Sequence, residues 1–243
     1  MKTKFPNAKW LLISGCWLLS AGFCSAQRVK QLNLPNYDHE TLHFGFSLGF
    51  NKADFVVFPE NNANKPDSVW SIDNRPELGF NLGIISDLKI HDYATLRFLP
   101  ALTFQERILQ FKIHPTSAVK SDSFYIMRKT VESTLLDFPI NLKIRSERLN
   151  NVSAYLLAGG KFSIDLASQA KTNNPEYVKL NNKDFAYEVG FGLDFYLEYF
   201  KLSAEMKFSA GFKDRLYHEP TTYSSSISRL FTKLWLFSLN FEG

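Results

Sequence analysis

Residues 42–51 read LHFGFSLGFN, with a large apolar side chain at every even position and a small or polar one at every odd position. Successive side chains on a strand point to opposite faces, so this period dictates a strand with one greasy and one wet side. The period recurs. Leu78, Phe80, Leu82, Ile84, Leu88 and Ile90 share one face of about 77–90, and Leu96, Phe98, Leu102 and Phe104 share one face of 93–113. Further alternating stretches cover about 124–145 (Leu136 to Ile144), 152–166 (Leu156 to Ile164), 184–198 (Phe185 to Leu197), 201–212 (Leu202 to Phe208) and 231–242 (Trp235 to Phe241). Eight strands are expected, and no comparably long helical period competes with them.

The connections carry as much information as the strands. They run long (52–76), short (91–92), long (114–123), short (146–151), long (167–183), very short (199–200) and long (213–230). Regular long–short alternation with an even strand number predicts an all-β fold: an eight-stranded antiparallel transmembrane β-barrel, an up-and-down meander with both termini at the short-turn end. Pro100 and Pro139 fall inside strands, where a closed ring has no edge to hide a missing N–H, so a bulge or a rim position is expected at each. The phase also shifts near Glu106-Arg107, since Leu109, Phe111 and Ile113 stand at odd positions; a β-bulge is the expected cause.

A soluble, lipocalin-like barrel would point the apolar face inward. An eight-stranded barrel is only just wide enough for its own side chains, and about five large apolar residues per strand would overfill it. The greasy face is therefore expected to meet lipid, with Tyr93, Tyr187, Tyr199, Phe200 and Trp235 as candidates for interfacial girdles. The opposite face carries charges of both signs: Glu77, Lys89, Arg97, Lys143, Lys161, Asp165, Glu188, Asp194, Lys201, Glu205 and Lys207. These either line a conduit or form a paired polar core; for so narrow a barrel the paired, plugging arrangement is expected.

The first 26 residues have the order of a secretory leader: three lysines and no acid, an apolar run over 10–23, then Cys24-Ser25-Ala26 before Gln27. A lipobox reading of Ile13-Ser14-Gly15-Cys16 leaves few apolar residues ahead of the cleavage point. Loss of residues 1–26 lowers the formal net charge from +4 to +1 and removes both cysteines. That excludes disulfides and thiolate metal sites in the remainder and takes away any charge argument for nucleic-acid binding. The expected domains are a signal peptide (1–26), a periplasmic N-terminal segment (27–41) and an outer-membrane barrel (42–243).

Signs of catalysis are sparse. The AGGK at 158–161 lies in a strand pattern and lacks P-loop spacing. His39, His43, His91, His114 and His218 make no paired metal-ligand motif. His43 and Ser47 share a strand face but stand about 13 Å apart along it, too far for direct activation. The acids Asp54, Glu60, Asp67 and Asp73 offer a cation site in principle, but their spread is that of a solvated loop, and Asn151-Val152-Ser153 matches a sequon common by chance. No catalytic residue, metal, cofactor or small-molecule substrate is expected.

Four stretches carry a family resemblance: NLPNYDHETLHFGFSLGFN (33–51), ELGFNLGIISDLKIHDYATLRFLPALTFQER (77–107), ESTLLDFPINLKIRSERLNNVSAYLLAGGKFSIDLAS (132–168) and AYEVGFGLDFYLEYFKLSAEMKFSAG (186–211). They resemble PorT-type proteins, outer-membrane β-barrels of the type IX secretion system in Bacteroidota. FP-x-x-LK before a Gly-Gly strand is similar to the broader porin-like family of that phylum. NLPNYD with HFGFSLG and LRFLPALTF resembles the PorT subgroup. Trp235, Phe237, Leu239 and Phe241 are similar to a C-terminal assembly signal, from which Glu242-Gly243 depart. The resemblance implies a non-enzymatic accessory or assembly component of type IX secretion, linked in some members to gliding motility, with protein partners in the secretion machinery and lipid around the barrel. Pro35, Tyr37, Asp38 and His39 are the candidate partner-binding patch, or else a leader that caps the lumen. The rival functions are a generic small barrel for adhesion or surface structure and a lipid-modifying outer-membrane enzyme.

Overall fold

The computed structural model describes residues 31–60, 69–113, 125–167, 180–218 and 224–243. The proposed leader, residues 27–30, Asp67, His114 and parts of the long connections lie outside the described residues. Asn33–Gly243 forms one unit, and it is the unit described below.

Alternating residues make nine strands: β1 (Leu42–Pro59), β2 (Val69–His91), β3 (Ala94–Phe98), β4 (Ala101–Ile113), β5 (Tyr125–Arg145), β6 (Val152–Asp165), β7 (Lys183–Tyr196), β8 (Lys201–Gly211) and β9 (Ile227–Glu242). All pairings are antiparallel, and β9 returns to β1 from Gly45↔Glu242 to Pro59↔Ile227, which closes the ring. β3 and β4 both lie between β2 and β5. Nine strands therefore stand where eight are expected, because Leu99-Pro100 leaves the ladder: proline has no N–H to give it.

Neither proline makes the expected bulge or rim. The register is the same on both sides of Pro100, with Phe98↔Ile140 and Ala101↔Asp137 toward β5 and Ser86↔Phe98 and Gly83↔Ala101 toward β2. Pro139 sits across the same gap, opposite Lys161 on β6. Its carbonyl accepts the Leu99 N–H at 3.3 Å, while the Pro100 carbonyl accepts the Ile84 N–H at 3.0 Å. Inside the ring at this level, Ile85, Leu99 and Ala101 form a small buried apolar cluster. The two missing donors are thus tolerated mid-barrel, with the flanking carbonyls still bonded.

The bulge expected at Glu106-Arg107 is absent from β4. It pairs with β5 without a slip from Ala101↔Asp137 to Ile113↔Tyr125, and its odd residues from Ala101 to Phe111 all point inward and are buried. What changes is the surroundings. In the lower part of the ring the outward residues are large and apolar: Phe44 is 58% and Phe50 72% exposed, whereas His43, Ser47 and Asn51 beside them are buried. Higher up, apolar residues occupy the inward positions instead. Phe55, Val69, Leu109, Phe111, Val131, Ile227 and Leu230 close over the interior as one cluster, joined by Leu180 and Leu216 from the connections. A register shift does occur opposite, in β2 between Pro76 and Phe80.

This inversion also explains strand lengths. Residues 52–59 and 69–76 read as loop because apolar residues stand there at both parities, Phe55, Val57 and Val69 at odd positions and Val56, Phe58, Trp70 and Ile72 at even ones. They are strand because Phe55, Val57, Val69 and Ile72 pack into the upper cluster.

Candidate functional site

The interior holds the chemistry. At its centre Arg97 has no exposure and stands among three carboxylates. Its Nε and Nη2 donate to Asp87 Oδ1 and Oδ2 at 2.8 and 2.7 Å, Nη1 to Glu205 Oε2 at 2.9 Å, and Nη2 also to Glu242 Oε1 at 2.7 Å. The planar guanidinium suits this role, since its fork engages one carboxylate with two bonds and still has donors left. Tyr155 donates to Glu205 at 2.8 Å, and Lys143 lies 3.8 Å over the Tyr155 ring and 2.9 Å from Asp194.

The next layer up contains Lys207, 3.5 Å from both Glu188 and Glu205, and Lys161, 3.5 Å from Asp137 and 3.7 Å from Glu188. Thr103 and Ser163 donate to the two Asp137 oxygens at 2.7 and 2.5 Å. Above that, Arg215 is 3.2 Å from Asp165, and Arg107 donates to Gln105 and stacks 4.7 Å from the Phe55 ring, just under the apolar cluster.

The short-turn end is stopped by the N-terminal segment. Tyr37 is buried, stacks on His43 at 3.8 Å, meets Tyr196 edge-on at 5.9 Å and donates from its hydroxyl to Glu242 Oε2 at 3.0 Å. Burial first, and the Glu242 charge second, push the Tyr37 phenol well above its usual range, so it stays protonated and donates. Lys201 Nζ sits 4.6 Å from the Tyr37 ring and 2.6 Å from Glu242. Asp38 pairs with Arg145 at 2.5 Å and Arg148 at 3.6 Å, and its carbonyl accepts from Lys89 at 2.7 Å. Asn33 donates to Asn151 and to the Tyr196 carbonyl, both at 3.0 Å. A space of about 20 Å³ remains beneath Tyr37, room for about one water. Beside Asp38, a cleft of about 320 Å³ opens toward Tyr93 and Glu147. At its edge Asp92 is exposed, and the Lys89 ammonium, 2.8 Å away, holds its carboxyl below the usual range.

Of the residues proposed from sequence, Arg97, Lys143, Lys161, Asp165, Glu188, Asp194, Lys201, Glu205 and Lys207 meet in this interior. Lys89 lies at its mouth. Glu77 stands apart, half-buried opposite Ala53. Of the segment's candidate patch, Pro35 and His39 are exposed, Asp38 is half-buried and Tyr37 faces inward. Sequence reasoning missed Asp87, Asp137, Glu242, Arg107 and Arg215. Strand parity already places Asp87 and Glu242 inward; the supposed phase slip hid Arg107; Arg215 lies in a connection with no period to read.

His43 and Ser47 do not act on one another: Ser47 donates to Asn240 at 2.6 Å, and His43 is taken up by Tyr37. Among the described residues no three His, Cys, Asp or Glu side chains are grouped to hold a metal. Tyr93 and Tyr199 are exposed at the short-turn end and Trp235 nearer the other, consistent with two girdles.

A ring whose outer face is apolar and exposed and whose interior is ionic and buried has the pattern of a membrane-spanning barrel. The chain belongs to the outer membrane protein beta-barrel domain family, whose model matches residues 26–217. No curated protein matches the chain. Among solved structures it is similar to Neisserial surface protein A (12% identity, TM-score 0.43, 83% of this chain and 98% of that one). Others are Ail, the attachment invasion locus protein of Yersinia pestis, solved with the heparin analogue sucrose octasulfate (12%, 0.37, 84% and 100%), and the N-terminal barrel of Pseudomonas aeruginosa OprF (10%, 0.35, 81% and 97%).

Proposed function

We propose that the protein is a closed outer-membrane anchor that works through contact at its two ends, as a non-enzymatic accessory or assembly component of type IX secretion. In this reading residues 1–26 are a cleaved signal peptide and residues 27–41 are periplasmic. The barrel over 42–243 has eight staves, with β3 and β4 sharing one, and both termini face the periplasm. Partners meet the short turns, the exposed Pro35 and His39 of the N-terminal segment, and the outer connections. The observation that supports a closed anchor is the filled interior. Paired charges occupy its centre, Tyr37 stops one end and the cluster around Phe55 and Phe111 covers the other. The secretion role is supported by the PorT-type resemblance of residues 33–51 and 77–107.

The test is deletion of the gene, with antibody checks that neighbouring components persist. Proteins bearing type IX sorting domains are expected to accumulate in the periplasm and to be exported again when the protein is supplied from a plasmid. Unchanged export would instead identify a generic surface barrel. Altered lipid species in the deletion strain would point to an enzyme.

A further inference from the structure

We propose that the mouth of the barrel is a peptide-binding site, filled here by the protein's own Tyr37-Asp38. In trans it accepts a segment of a periplasmic partner that takes the same 3-10 turn as Tyr37–His39, with an aromatic residue directly before an acid. The inference rests on the periplasmic placement of this end in the reading above.

The N-terminal segment is held as a ligand would be held. Residues 33–40 join no strand of the ring; side chains from separate strands grip Tyr37 and Asp38. The site distinguishes three features of a dipeptide. An aromatic ring is gripped between His43 and Tyr196 and lies under Lys201, with a buried carboxylate, Glu242, to accept its hydroxyl. A carboxylate one residue on meets two guanidinium groups, Arg145 and Arg148. The backbone carbonyl of that same acidic residue, Asp38, meets the Lys89 ammonium. A lipid phosphate or free anion would satisfy the second feature and leave the first empty. The groups that read the ring are also fixed by contacts other than the ring: Glu242 meets Arg97 at 2.7 Å and Lys201 at 2.6 Å.

The site also extends past what the segment fills. The 320 Å³ cleft shares Asp38, Arg145 and Arg148 with it and continues to Tyr93 and Glu147, which leaves room for residues flanking the dipeptide of a longer partner. Because the segment is tethered, its effective concentration at the site is on the order of millimolar. A partner in trans therefore competes only when the tethered copy is weakened or drawn away, which makes the contact exchangeable.

The test uses the full chain carrying Tyr37→Ala and Asp38→Ala, folded into detergent micelles, with folding checked by heat-shifted gel mobility. A labelled synthetic peptide of residues 33–41 is titrated by fluorescence anisotropy. Saturable binding is expected, at least about tenfold weaker to the unaltered protein, whose site is filled. Peptides with Tyr37→Ala or Asp38→Asn are also expected to bind at least about tenfold more weakly, as a lost charge-assisted bond implies. Should the double variant not fold, Asp38→Asn alone in the barrel serves in the same titration. No saturable binding to a folded variant, or equal binding of a scrambled peptide, overturns the proposal. The measurement uses purified protein, so its failure leaves the secretion reading untouched, and failure of the export test leaves this one untouched.

Discussion

Replacing Arg97 with methionine is expected to lower the free energy of unfolding by about 3–5 kcal/mol, read from urea titrations of the folded barrel in lipid vesicles. The size follows from what is left behind. Arg97 supplies four charged hydrogen bonds to Asp87, Glu205 and Glu242, all of them buried. Glu242 keeps Lys201 at 2.6 Å, and Glu205 keeps Tyr155 at 2.8 Å and Lys207 at 3.5 Å. Asp87 loses its ion-pair partner and is left 2% exposed. An uncompensated buried carboxylate is the costly product, more than the lost attraction itself. The double variant Arg97→Met with Asp87→Leu is therefore expected to recover a large part of the loss. Added salt is expected to change little, since buried pairs are weakly screened. A loss below about 1 kcal/mol for Arg97→Met, in the range of an exposed ion pair, would mean that water reaches this layer.

The second large effect is expected at Phe111. Its truncation to alanine should cost about 3–5 kcal/mol, and the loss should be the same in detergent micelles and in bilayers. Phe111 lies in the upper cluster with Leu109, Phe55, Val131 and Leu230, so its neighbours are protein. Phe50 offers the contrast. It is 72% exposed on the outer face, and its truncation should give a smaller loss that changes with the surrounding amphiphile. If Phe111→Ala depended on the amphiphile as Phe50→Ala does, the upper strands would be lipid-facing and the parity argument for β4 would fail.

That argument marks where the sequence is legible and where it is not. The period of two is enough to find every strand in the belt, because lipid outside and charge inside impose one rule on even and odd positions. β6 to β8 obey it from end to end, and their boundaries fall within a residue or two of the expected ones. β1, β2, β4 and β9 leave the belt at their upper ends, where apolar residues also pack inward and the alternation is lost. Leu109 and Phe111 then look like a slip, and residues 52–59 look like a loop, although β4 keeps its register with β5 throughout and β1 keeps its register with β9 as far as Phe58. Pro100 and Pro139 mislead for a related reason: a ladder tolerates two lost donors when the register on each side is fixed by β2, β5 and β6. The interior charges could be listed from parity, but not their partners. Pairing depends on which strands face one another across the ring, and no local period encodes that. The closure of the mouth by Tyr37 is a long-range contact with Glu242, almost the whole chain away.

The most direct measurement is spin-label accessibility along β1, in a chain whose Cys16 and Cys24 have been replaced, with single cysteines placed in turn at 42–51 except Gly45 and Gly49, where a Cβ would meet the backbone of β9. A lipid-facing wall around a filled, ionic interior predicts high oxygen accessibility at even positions, and low accessibility to both oxygen and a water-soluble nickel chelate at odd ones. Nickel access at Ser47 or Asn51 would contradict the account, because it would place open water where paired charges are expected to stand.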